Sequence, residues 1–389
     1  MNLRQGTRAL LACMALAGAG SAGAEPGVFA DRIIFGQVAA LEGPAAALGT
    51  GMRDGILAAF AEANAAGGIE GRTLELVSEN DGYEPRAAIQ ATKRLVAGEL
   101  TFALVGAVGT QTAAAAKPLA EQKGVPFVGA LSGADQLRTP FQRNVVNLRA
   151  SYLQETELLV AHLTKDLGLE RVAILFQDDS FGRAGYEAAL QALAKRGLQF
   201  VAEGSFERNT TAVRAALLAI RRGDPQAVIM IAPYPAVAEF VRLSRRLKFA
   251  PLLLAVSSVG ADALAAELGP EGDGIVVTEV MPLPDDTSSP LIARYRAALE
   301  KAVPGAKPGF PSLEGYLVGR FVVEILKTLG PEPTQKAFLD AVFRTKDLDI
   351  DGLRIGFGAD DNQGMDEVYL TAIQDGLVRP IDNLQEVAR

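Results

Sequence analysis

One histidine, His162, and one cysteine, Cys13, are all that 389 residues offer toward nucleophilic or zinc chemistry. Most catalytic triads and zinc sites need at least one of these residue types with a partner at a fixed spacing. His162 sits within the helical run Leu158-Leu-Val-Ala-His-Leu-Thr and has no His-x-x-x-His partner, so an ordinary half-buried role suits it. No Gly-x-Ser-x-Gly elbow and no P-loop lysine occurs. The acid pairs Asp178-Asp179 and Asp285-Asp286 read as loop residues, with nothing to place either pair across a scissile bond. Asp360-Asp361-Asn362, with Asp366 nearby, lacks the spacing of an EF-hand loop and reads as a solvated turn. Gly49-Thr-Gly-Met-Arg-Asp-Gly55 approaches a dinucleotide fingerprint, but its third glycine falls one residue late and the turn lies well past the first strand. That motif works only where the turn joins strand to helix at the pyrophosphate. No catalytic residue, metal ligand or cofactor is therefore expected.

Binding chemistry is better represented. Residues 104–120 read as an apolar strand, a glycine turn and an alanine-rich helix that opens on Thr110 and Thr112, both placed where an N-cap would sit. A helix start carries unpaired N–H donors and partial positive charge, and it can hold a carboxylate without a basic side chain. Small hydroxyl, backbone and aromatic groups recur at the carboxyl ends of other expected strands, at 131–134, 177–182, 232–235 and 256–260. Such loops make an orienting pocket for a small polar or amphipathic molecule.

The elements that must position these loops follow from the apolar pattern. The chain is 49% hydrophobic and 22% charged, enough for a large core and two domains. Arg4 and Arg8 precede an apolar run and the small residues of Gly-Ser-Ala-Gly-Ala24, the layout of a secretory signal over 1–24. The remaining chain would then be free of cysteine and destined for a periplasm. With a formal charge of −8 and no basic tract, the protein is a poor partner for nucleic acid.

Near-continuous apolar strands alternate with helices in two runs, 32–149 and 152–280, followed by a mainly helical remainder and short strands at 352–356 and 367–374. One strand is expected at 198–203. The pattern is that of an α/β protein with two doubly wound parallel-sheet lobes. Thin segments near 148–151, 280–284 and 345–350 read as a three-crossing hinge. Lobe 1 is then 25–148 plus 281–347, and lobe 2 is 149–280 plus 348–389.

The opening Glu42-Gly-Pro44, the glycine pattern over 64–72, the Val105-Gly…Thr110 turn, Tyr152…Glu155, Asp178-Asp-Ser-Phe-Gly182 and Arg208-Asn-Thr together resemble periplasmic substrate-binding proteins of ABC transporters, of the leucine/isoleucine/valine-binding type. The resemblance covers essentially the whole chain after the signal. It implies a type I periplasmic binding fold that closes on a small carboxylate-bearing ligand, a branched-chain or related amino acid or an aromatic or organic acid. It also implies inner-membrane ABC permease subunits as partners, a monomer and no cofactor.

By position, the resemblance implies that Thr110 with Leu131 and Gly133 grips the carboxylate, Ser132 supplying the hydroxyl that Gly133 lacks, and Thr112 at the same helix start is counted with the site. Phe181 and Tyr234 would wall the pocket from the second lobe, Tyr152 is counted among the ligand-binding residues, and Leu48 stands where a tyrosine is expected. An acid for a ligand ammonium is expected near Ser257, yet residues 256–259 hold none, which leaves Glu279 or Glu314, or a ligand without an ammonium. Two other readings stand beside this one: a ligand-sensing receptor of the same fold without a transport role, and a nicotinamide-dependent enzyme.

Overall fold

A computed structural model describes residues 25–387, so the signal expected over 1–24, with Cys13, lies outside the described residues. The first run folds as β1 (Arg32–Ala39), α1 (Ala46–Ala65), β2 (Thr73–Asn80), α2 (Pro85–Val96), β3 (Ala103–Val105), α3 (Thr110–Lys123), β4 (Phe127–Val128) and β5 (Val145–Val146). Its five strands form one parallel sheet in the order β2-β1-β3-β4-β5.

The second run contains α4 (Tyr152–Leu167), β6 (Val172–Gln177), α5 (Ser180–Ala194), β7 (Ala202–Phe206), α6 (Arg214–Arg222) and β8 (Ala227–Ile231). It continues with α7 (Tyr234–Arg246), β9 (Leu252–Ala255), α8 (Ala261–Leu268) and β10 (Val276–Glu279). Every residue of β6 and β8 is buried, as expected for strands covered by helices on both faces. The chain then returns to the first lobe as α9 (Pro290–Ala302), α10 (Phe310–Leu326) and α11 (Gln335–Arg344), followed by the hairpin β11 (Leu348–Ile350) and β12 (Leu353–Ile355). It ends with β13 (Tyr369–Gln374) and β14 (Leu377–Pro380), which add two antiparallel strands to the second sheet in the order β14-β13-β10-β9-β8-β6-β7.

The protein is thus two α/β lobes linked by three chain crossings. The first lies between β5 and α4 and the second between β10 and α9. The third comes later than the 345–350 that the sequence suggested. The β11–β12 hairpin stays on the first lobe, where Ile350, Ile355 and Phe357 join its core and Asp351 pairs with Arg320 of α10 at 2.9 Å. Only beyond Phe357 does the chain cross to β13. The strand expected at 198–203 begins instead at Ala202, because the Leu198 N–H is used to close the end of α5 on Leu193 O at 3.1 Å.

The fold also disposes of the glycine pattern at 49–55. These residues lie inside α1, not in a turn, and they let α1 approach β1 and α10 closely. A Cβ on Gly55 would sit 1.9 Å from Ser312 O, and one on Gly49 would sit 1.9 Å from Ala40 O. Helix-to-backbone packing accounts for them, and no phosphate-binding turn is formed there.

Candidate ligand-binding cleft

In open α/β sheets, ligands bind beyond the carboxyl ends of the strands where the strand order reverses. In the first lobe that point lies between β1 and β3, whose following segments lead to Leu48 and to Thr110. In the second it lies between β6 and β8, whose following loops lead to Phe181 and Tyr234. The two reversal points face each other and the lobes are closed. Arg208 Nη2 donates to Glu84 Oε2 at 2.7 Å, and Asn209 Nδ2 donates to Glu84 Oε1 at 2.7 Å. At the opposite side Asp262 of α8 accepts the Phe310 N–H at the start of α10, 2.7 Å away. Burial pushes the Asp262 carboxyl up to about 6, although the Phe310 N–H works in the other direction.

Helix α3 begins differently from the sequence expectation. Gly109, with φ +99°, is the N-cap, and Thr110 is the first helical residue. No side chain caps the helix, so its first N–H groups are left for other acceptors. Glycine is required here on two grounds, since φ is left-handed and a Cβ would lie 2.6 Å from Cε2 of Tyr83. The Thr110 hydroxyl lies 2.7 Å from Ser132 Oγ and 3.2 Å from the Tyr152 hydroxyl, which in turn lies 2.8 Å from Ser258 Oγ. Ser132 also accepts the Ala134 N–H at 3.2 Å. A continuous chain of hydroxyls, Ser132–Thr110–Tyr152–Ser258, therefore runs from the first lobe to the second beside an uncapped helix start.

The remaining expected positions separate into those at the cleft and those with structural duties. Phe181 packs on Tyr152 with ring centroids 5.8 Å apart. Gly133 admits the Tyr152 ring, which a Cβ there would meet at 2.5 Å, and its carbonyl accepts the Tyr152 N–H at 2.7 Å. Leu131 is buried and bridges to Val108. Tyr234, half-buried at the start of α7, lies with Leu48 against Gly260. Thr112 does not face the hydroxyl chain: it donates back to Val108 O at 2.6 Å and fastens the turn.

Ser257 and Glu314 belong to a buried charge cluster at the hinge. Arg149, only 1% exposed, reaches Glu314 at 3.2 Å and Glu155 at 3.7 Å, and donates to the Ser257 hydroxyl. Burial by itself would lower the Arg149 pKa, but the Glu314 and Glu155 charges outweigh it and hold the guanidinium above its ordinary value. Glu155 accepts from Ser257 N at 2.8 Å, Ser257 Oγ at 3.0 Å and Thr278 Oγ1 at 2.7 Å. The acid expected near 256–259 is therefore present in space, delivered by α4, but its oxygens are taken. Burial raises the Glu314 pKa, with Arg149 opposing. Glu279, at the end of β10, is raised well above the ordinary carboxylate range, by burial first and then by Asp262 and Glu155. Its Oε1 has no hydrogen-bond partner among the described residues.

Arg149 escaped the sequence reading because a lone charge at a strand end carries no periodic signal. Its buried partners Glu155 and Glu314 lie on separate helices. Among the described residues no group of three or more His, Cys, Asp or Glu side chains is arranged to hold a metal ion.

Two hinged α/β lobes closed over a polar cleft define the bilobal class of ligand-binding proteins. Residues 33–377 match the model of the periplasmic binding protein family, and the chain belongs to that family. A solved structure of a possible leucine/isoleucine/valine-binding protein from Rhodopirellula baltica SH 1 is 35% identical, with a TM-score of 0.88 over 95% of this chain and all of that one. A substrate-binding periplasmic protein from Ralstonia solanacearum is 25% identical, with a TM-score of 0.84 over 90% of this chain and 99% of that one. Leu/Ile/Val-binding protein homolog 7 of Brucella suis is 26% identical over 57% of this chain and 55% of its own length. The chain spans about half the length of the first curated relatives it matches.

Proposed function

We propose that this protein is the solute-binding component of an ABC importer, acting in a periplasm after removal of a signal segment. It takes a small carboxylate into the cleft, closes by hinge motion and presents the closed form, as a monomer, to membrane permease subunits. The observation that carries this reading is the uncapped start of α3 beside the Ser132–Thr110–Tyr152–Ser258 chain of hydroxyls. Unpaired N–H donors and the helix dipole favour an anion there, and hydroxyls from both lobes give that anion contacts that exist only when the lobes meet. Such differential contact is what lets a ligand shift the open–closed population.

The names of the relatives, Leu/Ile/Val-binding proteins, favour a branched-chain or related amino acid. An ammonium group would find its best acceptor in Glu279, whose Oε1 is unpartnered, because Glu155 and Glu314 are already engaged by Arg149. Phe181 and Tyr234 supply apolar surface from the second lobe. Calorimetric titration with branched-chain, aromatic and acidic carboxylates, both amino acids and their deaminated counterparts, tests the proposal. Saturable binding of at least one is expected; a folded protein that binds none would contradict it.

A further inference from the structure

The hydroxyl chain leaves a second set of buried polar atoms in the cleft unused. Gln111, next to Thr110 in α3, is 5% exposed, and neither its amide nitrogen nor its amide oxygen has a hydrogen-bond partner of good geometry among the described residues. Gln177, at the end of β6 in the opposite lobe, is fully buried. Its nitrogen donates to Asp179 Oδ2 at 2.7 Å, and its oxygen has no partner. Tyr83, from the loop after β2, lies between the two: both amides approach its phenol and oppose the rise in its pKa that burial and the Asp179 charge impose, but neither meets it in good hydrogen-bond geometry, and its ring covers Gly109. Its backbone sits at φ +64°, an uncommon and costly conformation for a bulky residue. The rim is shut by Arg208, which reaches Glu84 at 2.7 Å and Asp179 at 3.5 Å.

Buried amides without partners are costly, and native proteins seldom leave several together without something to fill them. The Tyr83 hydroxyl, with its single proton, cannot fill what is open here: two amide hydrogens and an accepting oxygen on Gln111, and one amide hydrogen and an accepting oxygen on Gln177. With Asp179 and Glu84 close by, a second anion would be repelled, and the cation at the rim, Arg208, is already engaged. The pattern matches a neutral group that both donates and accepts. We propose that Tyr83, Gln111 and Gln177 form a second subsite, which receives a hydroxyl, phenol or primary amide carried by the ligand in addition to its carboxylate. The cleft then selects polar-tailed carboxylates over plain aliphatic or aromatic ones. This inference rests on the carboxylate reading above.

The test titrates matched pairs that differ by one hydroxyl: phenylalanine and tyrosine, norvaline and 5-hydroxynorvaline, 3-phenylpropionate and 3-(4-hydroxyphenyl)propionate, pentanoate and 5-hydroxypentanoate. The hydroxylated member of at least one pair should bind roughly tenfold tighter or better. Gln111→Met and, separately, Gln177→Met should bring that ratio close to one, whatever either does to the affinity for the plain member. Two variants on different elements guard against one failing to fold, which a thermal melt reports. A ratio near one for every pair in the unaltered protein, or a ratio that survives both substitutions, overturns the subsite and leaves the carboxylate reading standing. Failure of every carboxylate to bind overturns that reading, and the subsite falls with it.

Discussion

Replacing Thr110 with valine removes one hydroxyl and keeps the branched shape. The structure sets what this should cost. Thr110 Oγ1 has two neutral partners, Ser132 at 2.7 Å and Tyr152 at 3.2 Å, and each keeps another partner after the change, Ala134 N and Ser258 Oγ respectively. The folded protein therefore loses about one net hydrogen bond, roughly 1 kcal/mol. A bound carboxylate loses a donor in a desolvated site, a larger effect of roughly 1–3 kcal/mol, or about 5- to 150-fold in dissociation constant. Thr112→Val is the control. Its hydroxyl is equally buried but bonds back to Val108 O at 2.6 Å, so the same chemical change should lower stability by a similar amount and leave affinity nearly intact. Titration calorimetry and urea unfolding on both variants read the two quantities. Equal loss of affinity in the two variants, or unchanged affinity in Thr110→Val, would refute the assignment of Thr110 to the anion site.

Three further perturbations follow from the charges. Arg149→Met leaves Glu314 and Glu155 buried without their common cation, and should cost about 3–5 kcal/mol in urea unfolding; a loss below about 1 kcal/mol would mean that the hinge does not depend on this cluster. Asp81 is pushed up to about 7, chiefly by burial, against an unfolded value of about 3.9. The folded chain then holds a proton that the unfolded chain has released, so this residue makes stability fall as pH rises from about 4 to 7. Asp81→Asn should flatten that slope relative to the unaltered protein, read as the difference between the two because Asp262 contributes a slope of the same sign; identical slopes would contradict the assignment. Arg208→Ala removes a half-exposed interlobe pair, worth about 0.2–1 kcal/mol of closure, so ligand affinity should fall no more than about fivefold. The unaltered protein should be more sensitive to added salt than this variant, and equal salt dependence would remove the pair from the closing equilibrium.

How much of this could be read from sequence depends on the range over which each feature is encoded. The buried runs of β6 and β8 and the Gly109–Thr110 strand-to-helix junction are local, so strand, turn and helix were legible from apolar runs, glycine and alanine. The alternation of strands and helices put the loops that carry Thr110, Phe181 and Tyr234 at strand ends, while their expected roles came from the family resemblance and the strand order that sets the reversal points is a long-range property of the fold. What was not legible is long-range. Glu155 meets Ser257 from 102 residues away, and Tyr83 is brought to Gln177 only when the lobes meet. The late third crossing was hidden because the β11–β12 hairpin is short and looks like the strands that follow it. Its loyalty to the first lobe is decided by Asp351 pairing with Arg320 and Arg294. β14 is a short edge strand ending in proline, with only Val378 buried among its four residues, too little alternation to announce itself.

The account rests on a cleft that closes because a ligand touches both lobes. Small-angle X-ray scattering of the protein, alone and saturated with a carboxylate shown to bind by calorimetry, tests this most directly. The radius of gyration should fall on saturation, and the bound curve should match the closed lobes described here. Saturable binding with an unchanged scattering curve would place the ligand outside a closing cleft and contradict the account.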